Sequence, residues 1–215
     1  VKPTGKTGGE IVWEWHLWDH VIQDFDSTRA NYGDVAKHPE SLDLNYTPRR
    51  GRINQDWNHT NSIDYNPQLD QIVLSLHTMS EIFVIDHSTT TEQAAGHAGG
   101  RSGKGGDILY RWGNPQVYRA GHASDRKLFA QHDASWIEPG LPGAGNIMVF
   151  NNSQGRSDGR YSSVDVIVPP IEESGRYALA PGSAYGPKEA DWIYTDKKKP
   201  DFFSQNISGA QRLPN

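Results

Sequence analysis

The sequence lacks cysteine, long apolar runs and a strong excess of charge. The absence of cysteine from all 215 residues excludes disulfide bonds, catalytic thiolates and cysteine-ligated zinc. No run of about 18 apolar residues occurs, so the sequence predicts no membrane-spanning helix. A net charge of -5 gives no general attraction to nucleic acid or to an anionic membrane. We therefore expect neither of them as a partner.

Helical periodicity is also nearly absent, whereas aromatic residues and turn formers are abundant. The chain contains 7 Trp, 9 Tyr and 6 Phe, together with 22 Gly and 13 Pro. Short apolar runs rich in β-branched and aromatic residues recur between Gly, Pro, Asn or Asp: "EIVWEW", "QIVLSL", "EIFVID", "DILYRW", "NIMVFN", "VDVIVP" and "DWIYT". Such runs are typical of strands bounded by turns. They predict an all-β chain of short antiparallel strands.

These strands repeat as a set. The stretch from "NHTN" to "GDILYRWGNP" aligns with the stretch from "QHDAS" to "ADWIYT". His59 and His132 are 73 residues apart, and His132 and Ser208 are 76 residues apart. A four-stranded unit of this length indicates a β-propeller blade with long loops.

The repeat divides the single domain, residues 1–215, into five parts. Because "GEIVWEW" matches "GDILYRW", residues 1–16 are expected to hold the last strand of a preceding blade. Residues 17–55 form an inserted connection, 56–116 and 117–200 form two blades, and 201–215 hold the first strand of a further blade. A closed propeller ring has about four to eight blades, and two blades with flanking strands cannot close one. We expect other chains, or the remainder of a longer polypeptide, to close it.

The inserted connection is the part that least resembles a blade. Its aromatic residues Trp18, Phe25 and Tyr32 predict that it is packed. The stretch "SLDLNYTP" is a candidate added strand, and "DSTRANYGDVAKHPE" a candidate capped helix. With its basic "PRRGR", the connection is a candidate lid or partner surface at a channel mouth.

The segments "DWNHTNSIDYNPQLDQIVLSLHTMSEIFVID", "GGDILYRWGNP", "QHDASWIEPG" and "ISGAQRLPN" carry a family resemblance. In this order they resemble the arylsulfotransferase (aryl-sulfate sulfotransferase) β-propellers, over nearly the whole chain apart from the inserted connection. The resemblance implies a six-bladed propeller, secreted or periplasmic, with its active site in the central channel. It also implies transfer of a sulfuryl group between phenols through a sulfohistidine, without a diffusible cofactor.

The resemblance also implies which residues are catalytic. His59 and His132 match channel histidines that contact the sulfuryl group, and Arg160 matches the region that supplies an arginine. Sulfuryl transfer develops negative charge on oxygen, which imidazole and guanidinium N–H groups can stabilise. Where the family places its nucleophilic histidine, however, this chain has Ser208 and Gly209. A sulfohistidine cannot form at that position.

Three further residues are candidate substrate contacts, namely Asn61, His77 and Arg156, the last of which is the second candidate for the channel arginine. The expected ligand is a small phenolic or sulfate-bearing molecule. A non-catalytic propeller that binds a ligand or anion, or an extracellular assembly scaffold, remains the alternative.

Structural roles and bound metals remain open for the same residues. A histidine at the start of an inner strand can fix the blade by bonding backbone groups, and Asn61 can cap a turn. A three-histidine metal site would combine His59 and His132 with His77, His16 or His20. Calcium is favoured slightly over a transition metal, because the oxygen-rich turns "DYNPQLDQ" and "NNSQGRSDG" suit it, although neither turn has the EF-hand spacing.

Overall fold

The computed structural model describes residues 1–46 and 56–214, and these residues form an all-β protein. Its helical pieces are short: α1 is Thr91–Ala94, and 3-10 turns span Leu17–His20, Val35–Lys37, Pro115–Tyr118, Ala123–Asp125 and Lys199–Asp201. None of these helices is long and apolar enough to cross a membrane. The strands, in chain order, are β1 Lys2–Pro3, β2 Gly9–Glu10, β3 Val21–Ile22, β4 Leu42–Asp43, β5 Thr60–Asn66, β6 Gln71–Leu76, β7 Glu81–Asp86, β8 Tyr110–Trp112, β9 His132–Trp136, β10 Ile147–Asn151, β11 Ser163–Ile167 and β12 Trp192–Tyr194.

Two four-stranded sheets dominate the fold. The first has the order β5-β6-β7-β8 and the second β9-β10-β11-β12, so each strand pairs with the next one along the chain. All pairs within both sheets are antiparallel. Such a four-stranded meander is the blade of a β-propeller. The predicted fold, two propeller blades with flanking segments, is confirmed.

The central strands are buried on both faces. Successive side chains of a strand point to opposite faces of the sheet, and an apolar cluster covers each face. In β6, Val73 belongs to a cluster that joins the two blades, whereas Ile72 and Leu74 belong to a cluster on the opposite face. The joining cluster contains residues from both sheets: Val73, Ile82, Val84, Tyr110, Trp112, Ala134, Trp136, Ile147, Val149 and Ile167. This apolar layer fixes the two blades against each other.

Polar side chains of β5 add hydrogen bonds between the blades. Ser62 Oγ accepts from the backbone N of Ala134 at 2.9 Å, and Asp64 Oδ2 accepts from the backbone N of Trp136 at 2.7 Å. The first strand of one blade is therefore anchored to the first strand of the next. This anchoring fixes the relative positions of the residues at the ends of β5 and β9.

The N-terminal segment differs from the expected blade strand. Only Gly9–Glu10 of the run "GEIVWEW" is a strand, and it pairs with Lys2–Pro3. The following residues bond to the first blade through side chains: Trp13 Nε1 donates to Thr89 Oγ1 at 3.2 Å, and Trp15 Nε1 donates to the carbonyl of Gly106 at 2.8 Å. Contacts of these half-buried indoles with the blade replace backbone pairing.

The described part of the inserted connection contains less regular structure than expected. Leu42–Asp43 is the added strand of "SLDLNYTP", and it pairs in parallel with Val21–Ile22. The expected helix is only the turn Val35–Lys37, with Asp34 as its side-chain cap. The run "PRRGR" and the end of "SLDLNYTP" lie outside the described residues.

The inserted connection is packed, but not by the three aromatic residues from which the sequence predicts its packing. Phe25 is 88% exposed and Trp18 is 69% exposed, and Tyr32 is exposed as well. The connection packs through other residues: Leu42 is completely buried in a cluster with residues of β6 and β7, and Leu17 and Tyr46 pack against this cluster. The ion pair of Arg119 with Asp24 and Asp43 adds a polar contact. Aromatic content alone does not show which side of a segment faces the core.

Residues 202–214 form no strand, although the repeat predicts the start of a further blade here. Their backbone bonds side chains of the second blade instead. The N of Ser204 donates to Ser162 Oγ at 2.9 Å, and the N of Ala210 donates to Asp133 Oδ2 at 3.0 Å. This C-terminal segment lies beside the beginning of β9.

Candidate functional site

Three histidines form a row where the two blades meet. His59 directly precedes β5, His77 directly follows β6, and His132 is the first residue of β9. The ring centroids of His59 and His77 are 4.7 Å apart, and those of His77 and His132 are 5.2 Å apart. The N of His77 also donates to the carbonyl of His59 at 3.0 Å. The row therefore brings together three of the six predicted site residues.

His59 is oriented by an acidic residue of the same turn. Its Nδ1 contacts Asp56 Oδ2, and its backbone has a positive φ of 39°. An ionised carboxylate can only accept, so Nδ1 carries the proton in this contact. Chemistry with a substrate would therefore use Nε2, as in other carboxylate-oriented imidazoles.

His132 is held through both ring nitrogens. Its Nδ1 lies 2.8 Å from Asn152 Oδ1, and its Nε2 accepts from the backbone N of Ile207 at 3.3 Å. Asn152 Nδ2 donates to the carbonyls of Ser204 and Ile207, which fixes the orientation of the amide. The hydrogen bonds therefore specify the neutral ring with its proton on Nδ1. In this arrangement His132 connects the second blade to the C-terminal segment.

Arg160 lines a cavity of about 410 Å³ with Asn152, Ser153, Gln154, Phe203 and Gln205. Its guanidinium lies over the Phe203 ring, 4.3 Å from the centroid. Asn152 also bonds His132. The cavity of Arg160 is thus linked to the histidine row through a single amide side chain.

Arg156 lies inside the second blade. Its side chain is only 10% exposed. The guanidinium donates to Tyr161 Oη and to Ser163 Oγ, both at 3.1 Å, and lies 4.8 Å from the centroid of the Phe129 ring. These contacts favour a packing role over substrate contact.

Asn61 bridges the blades. Its Nδ2 donates to the carbonyl of Gln131 at 2.7 Å, just before β9. It lies at a register shift in the pairing of β5 with β6, between Thr60 and Ser62. The predicted turn-capping role is replaced by an inter-blade contact, and its role as a substrate contact stays a prediction.

The position of the expected nucleophile is occupied by small residues with defined partners. Ser208 has a positive φ of 82°, and its Oγ donates to Ser204 Oγ at 2.9 Å. A Cβ added at Gly209 would collide with the carboxylate of Asp133. A side chain at position 209 would therefore have to displace the Asp133 carboxylate, which accepts from the N of Ala210.

Sequence reasoning missed two residues of this site, Asp56 and Asn152. Asp56 lies three residues before His59 in the stretch "DWNH", a spacing that a tight turn can bring together. Asn152 follows β10 and is 20 residues from His132, so no local spacing indicates the contact. Only the pairing of β9 with β10 brings these two side chains together.

The group of side chains best placed to bind a metal ion differs from the three-histidine set that the sequence predicts. Within residues 1–46 and 56–214, the group whose potential ligand atoms lie within 4.8 Å of one another is His20, His97 and Asp107. In the turn "DYNPQLDQ", Asp70 Oδ1 accepts from Tyr65 Oη and contacts His87 Nδ1. Tyr65 and His87 thus already contact the Asp70 oxygen that would be a calcium ligand, and calcium binding stays a prediction.

Two comparisons with known proteins complement this geometry. The family model described as Arylsulfotransferase (ASST) matches residues 5–215. A search of curated protein sequences found no match to the chain. The family match spans both blades, the inserted connection and the histidine row.

Proposed function

Because the chain belongs to the arylsulfotransferase (ASST) family, we propose that it transfers a sulfuryl group between phenolic compounds at the histidine row. The observation that carries this proposal is the convergence of His59, His77 and His132 at the ends of strands of two successive blades. The two blades supply one wall of a channel. Other chains, or the remainder of a longer polypeptide, supply the rest.

The contacts of the histidines suggest different roles. With Nδ1–H directed at Asp56, His59 offers Nε2 as a nucleophile towards sulfur. The sulfur–oxygen bond of the aryl sulfate breaks, the phenolate leaves with the electron pair, and a second phenol then takes the sulfuryl group from the ring nitrogen and releases its proton to solvent. His132, whose ring nitrogens are both bonded, positions the C-terminal segment.

Negative charge on the sulfuryl oxygens needs nearby donors or cations. Arg160 is the exposed guanidinium of the adjoining cavity, and stacking on Phe203 holds its plane. A guanidinium is always charged and offers a fixed fork of donors, which suits a tetrahedral oxyanion. We assign Arg160 to the sulfuryl oxygens and Arg156 to packing. In keeping with the family, the protein acts in the periplasm or outside the cell.

The test is phenol-dependent release of 4-nitrophenolate from 4-nitrophenyl sulfate by the purified protein. His59→Ala removes the proposed nucleophile and should lower kcat by at least about 100-fold, the lower end of what even a positioned acid–base side chain contributes. His132→Ala should raise KM more than it lowers kcat, because it releases the C-terminal segment. The matched control is His87→Ala, which removes another histidine bonded to an aspartate. Full activity of a folded His59→Ala variant would contradict the assignment.

A second candidate function, binding of an anion or phenol without turnover, is favoured by Ser208 at the expected nucleophile position. It predicts that the wild-type protein binds 4-nitrophenyl sulfate but does not cleave it. In that case Ser208→His, at the position where the family places its nucleophilic histidine, should introduce turnover. Asn206→His, in the same segment, is the control. Turnover by the wild-type protein would rule out this alternative.

A further inference from the structure

A second group of chemically active side chains lies where the inserted connection meets the first blade. His20 ends the 3-10 turn Leu17–His20, whereas His97 and Asp107 lie in the loop between β7 and β8. One potential ligand atom from each lies within 4.8 Å of the others. His20 is completely buried and Asp107 is 6% exposed. The group is separate in sequence from His59, His77 and His132.

The hydrogen bonds of His20 define which ring nitrogen is available to a metal. Its Nε2 lies 2.7 Å from the carbonyl oxygen of Ala94. A carbonyl cannot donate, so Nε2 carries a proton. In the neutral ring the Nδ1 lone pair then faces Asp107 Oδ1 at 3.3 Å. Facing lone pairs repel unless a positive centre, either a proton or a metal ion, lies between them.

The distance between His20 and Asp107 fits two ligands of one metal ion. Ligands of tetrahedral zinc at about 2.0–2.1 Å lie about 3.3–3.4 Å from each other, which is the separation of His20 Nδ1 and Asp107 Oδ1. The His97 Nδ1 to Asp107 Oδ1 distance of 2.6 Å is that of a hydrogen bond. Because the His97 side chain is 65% exposed, its ring can move outward by the small distance that coordination requires.

The surroundings of His20 hold the ring rigidly. Trp15 stacks on it with an interplanar angle of 1° and a centroid distance of 5.4 Å, and Trp15 Nε1 donates to the carbonyl of Gly106 at 2.8 Å. A Cβ on Gly106 would collide with Ala94 and with His20 Nε2. A histidine that donates its second N–H to a backbone carbonyl is the usual outer-shell arrangement of metal ligands.

One side of the group opens to solvent. His97 and Asp107 line a cavity of about 630 Å³ between the inserted connection and the blade. Water from this cavity can reach the group. Three protein ligands on one side and water on the other give a complete four-coordinate shell.

We propose that His20, His97 and Asp107 bind a divalent transition-metal ion, with water as the fourth ligand. Two imidazoles and one carboxylate suit zinc, iron or cobalt, whereas calcium and magnesium prefer oxygen ligands throughout. The ion cross-links the inserted connection to the β7–β8 loop and so stabilises the folded protein. This site does not depend on sulfuryl transfer.

The test is titration of the metal-free protein with Zn²⁺ by calorimetry and with Co²⁺ by visible absorption. The wild-type protein should bind one ion, and cobalt should show the intense bands of a four-coordinate site. His97→Ala and Asp107→Asn should each weaken binding by at least about 100-fold, because losing even an outer-shell partner costs about 10–100-fold. His87→Ala, which disrupts a similar surface His–Asp pair, should bind like the wild type.

Thermal unfolding provides an independent readout. Zn²⁺ should raise the midpoint of the wild-type protein and of His87→Ala, but not that of His97→Ala, because a ligand that binds only the folded state stabilises it. The exposed His97 can be replaced without disturbing the core. The proposal is overturned if the wild type binds neither ion, or if either ligand variant retains the wild-type affinity. In the first case a proton alone lies between His20 and Asp107.

Discussion

Glu81 and Arg111 form an ion pair in which neither side chain is exposed to solvent. Glu81 begins β7 and Arg111 lies in the neighbouring β8; Arg111 Nε donates to Glu81 Oε2 at 3.1 Å. Arg111 Nη1 also donates to the carbonyl of Ser41 at 2.9 Å, and the guanidinium lies 4.6 Å from the centroid of the Tyr118 ring. The pair therefore joins the first blade to the inserted connection.

Glu81→Gln should lower the free energy of unfolding by about 3–5 kcal/mol, because it leaves the buried Arg111 charge without its counter-ion. The measurement is urea unfolding at neutral pH. The control is Asp201→Asn, which breaks the exposed pair with Lys198 and should cost less than about 1 kcal/mol. Equal effects of the two variants would show that burial does not control the strength of the Glu81 pair.

Asn152→Leu should release His132 from its single tautomer. Asn152 Oδ1 is the acceptor for His132 Nδ1–H. Asn152 Nδ2 also holds the carbonyl of Ile207, whose N donates to His132 Nε2. Leucine removes the acceptor and releases Ile207. In ¹⁵N NMR spectra the two ring nitrogens of His132 should move towards each other as both tautomers become populated. The other histidines serve as internal controls. An unchanged His132 spectrum would contradict the role assigned to Asn152.

Asp165→Asn should change how stability depends on pH. Burial raises the pKa of Asp165 above its ordinary value of 3.8, although hydrogen bonds from Ser163 and Asn151 oppose the shift. The folded protein therefore holds this proton more tightly than the unfolded chain. This contribution to stability is complete below the ordinary pKa and is lost as the pH rises through the raised value.

The stability of Asp165→Asn relative to the wild type should therefore increase from about pH 4 to about pH 7. Asparagine can still accept from Asn151 Nδ2, which lies 2.8 Å from Asp165 Oδ2. Urea unfolding at both pH values provides the measurement. The exposed Asp201→Asn change controls for loss of a carboxylate. A pH-independent difference between Asp165→Asn and the wild type would refute the argument.

The amount of structure that could be predicted differs between the blades and the segments around them. In β6 and β7, continuous apolar runs predict buried strands, because a strand covered on both faces needs apolar residues at every position. The run "GEIVWEW" has the same local pattern, yet only Gly9–Glu10 forms a strand. Its indoles bind the blade instead, and the local pattern cannot distinguish these outcomes.

The candidate site could likewise be predicted only in part. The spacing of His59 and His132 predicts that they occupy equivalent positions in successive blades, and their rings flank His77. The side chains that orient the two rings differ between the blades: Asp56 contacts His59, and Asn152 contacts His132. A repeat can predict equivalent positions but cannot predict contacts that are not repeated.

By itself, the sequence determined the all-β class, the two four-stranded blades and the family, because strand periodicity, turn residues and repeats are local properties of the chain. Only the tertiary structure decided which histidines have acidic or amide partners and that His20 meets His97 and Asp107. It also decided that Glu81 and Arg111 are buried together. Apart from His59 and Asp56, which are three residues apart, these contacts join residues distant in the chain, and their geometry is fixed by how the sheets and loops pack.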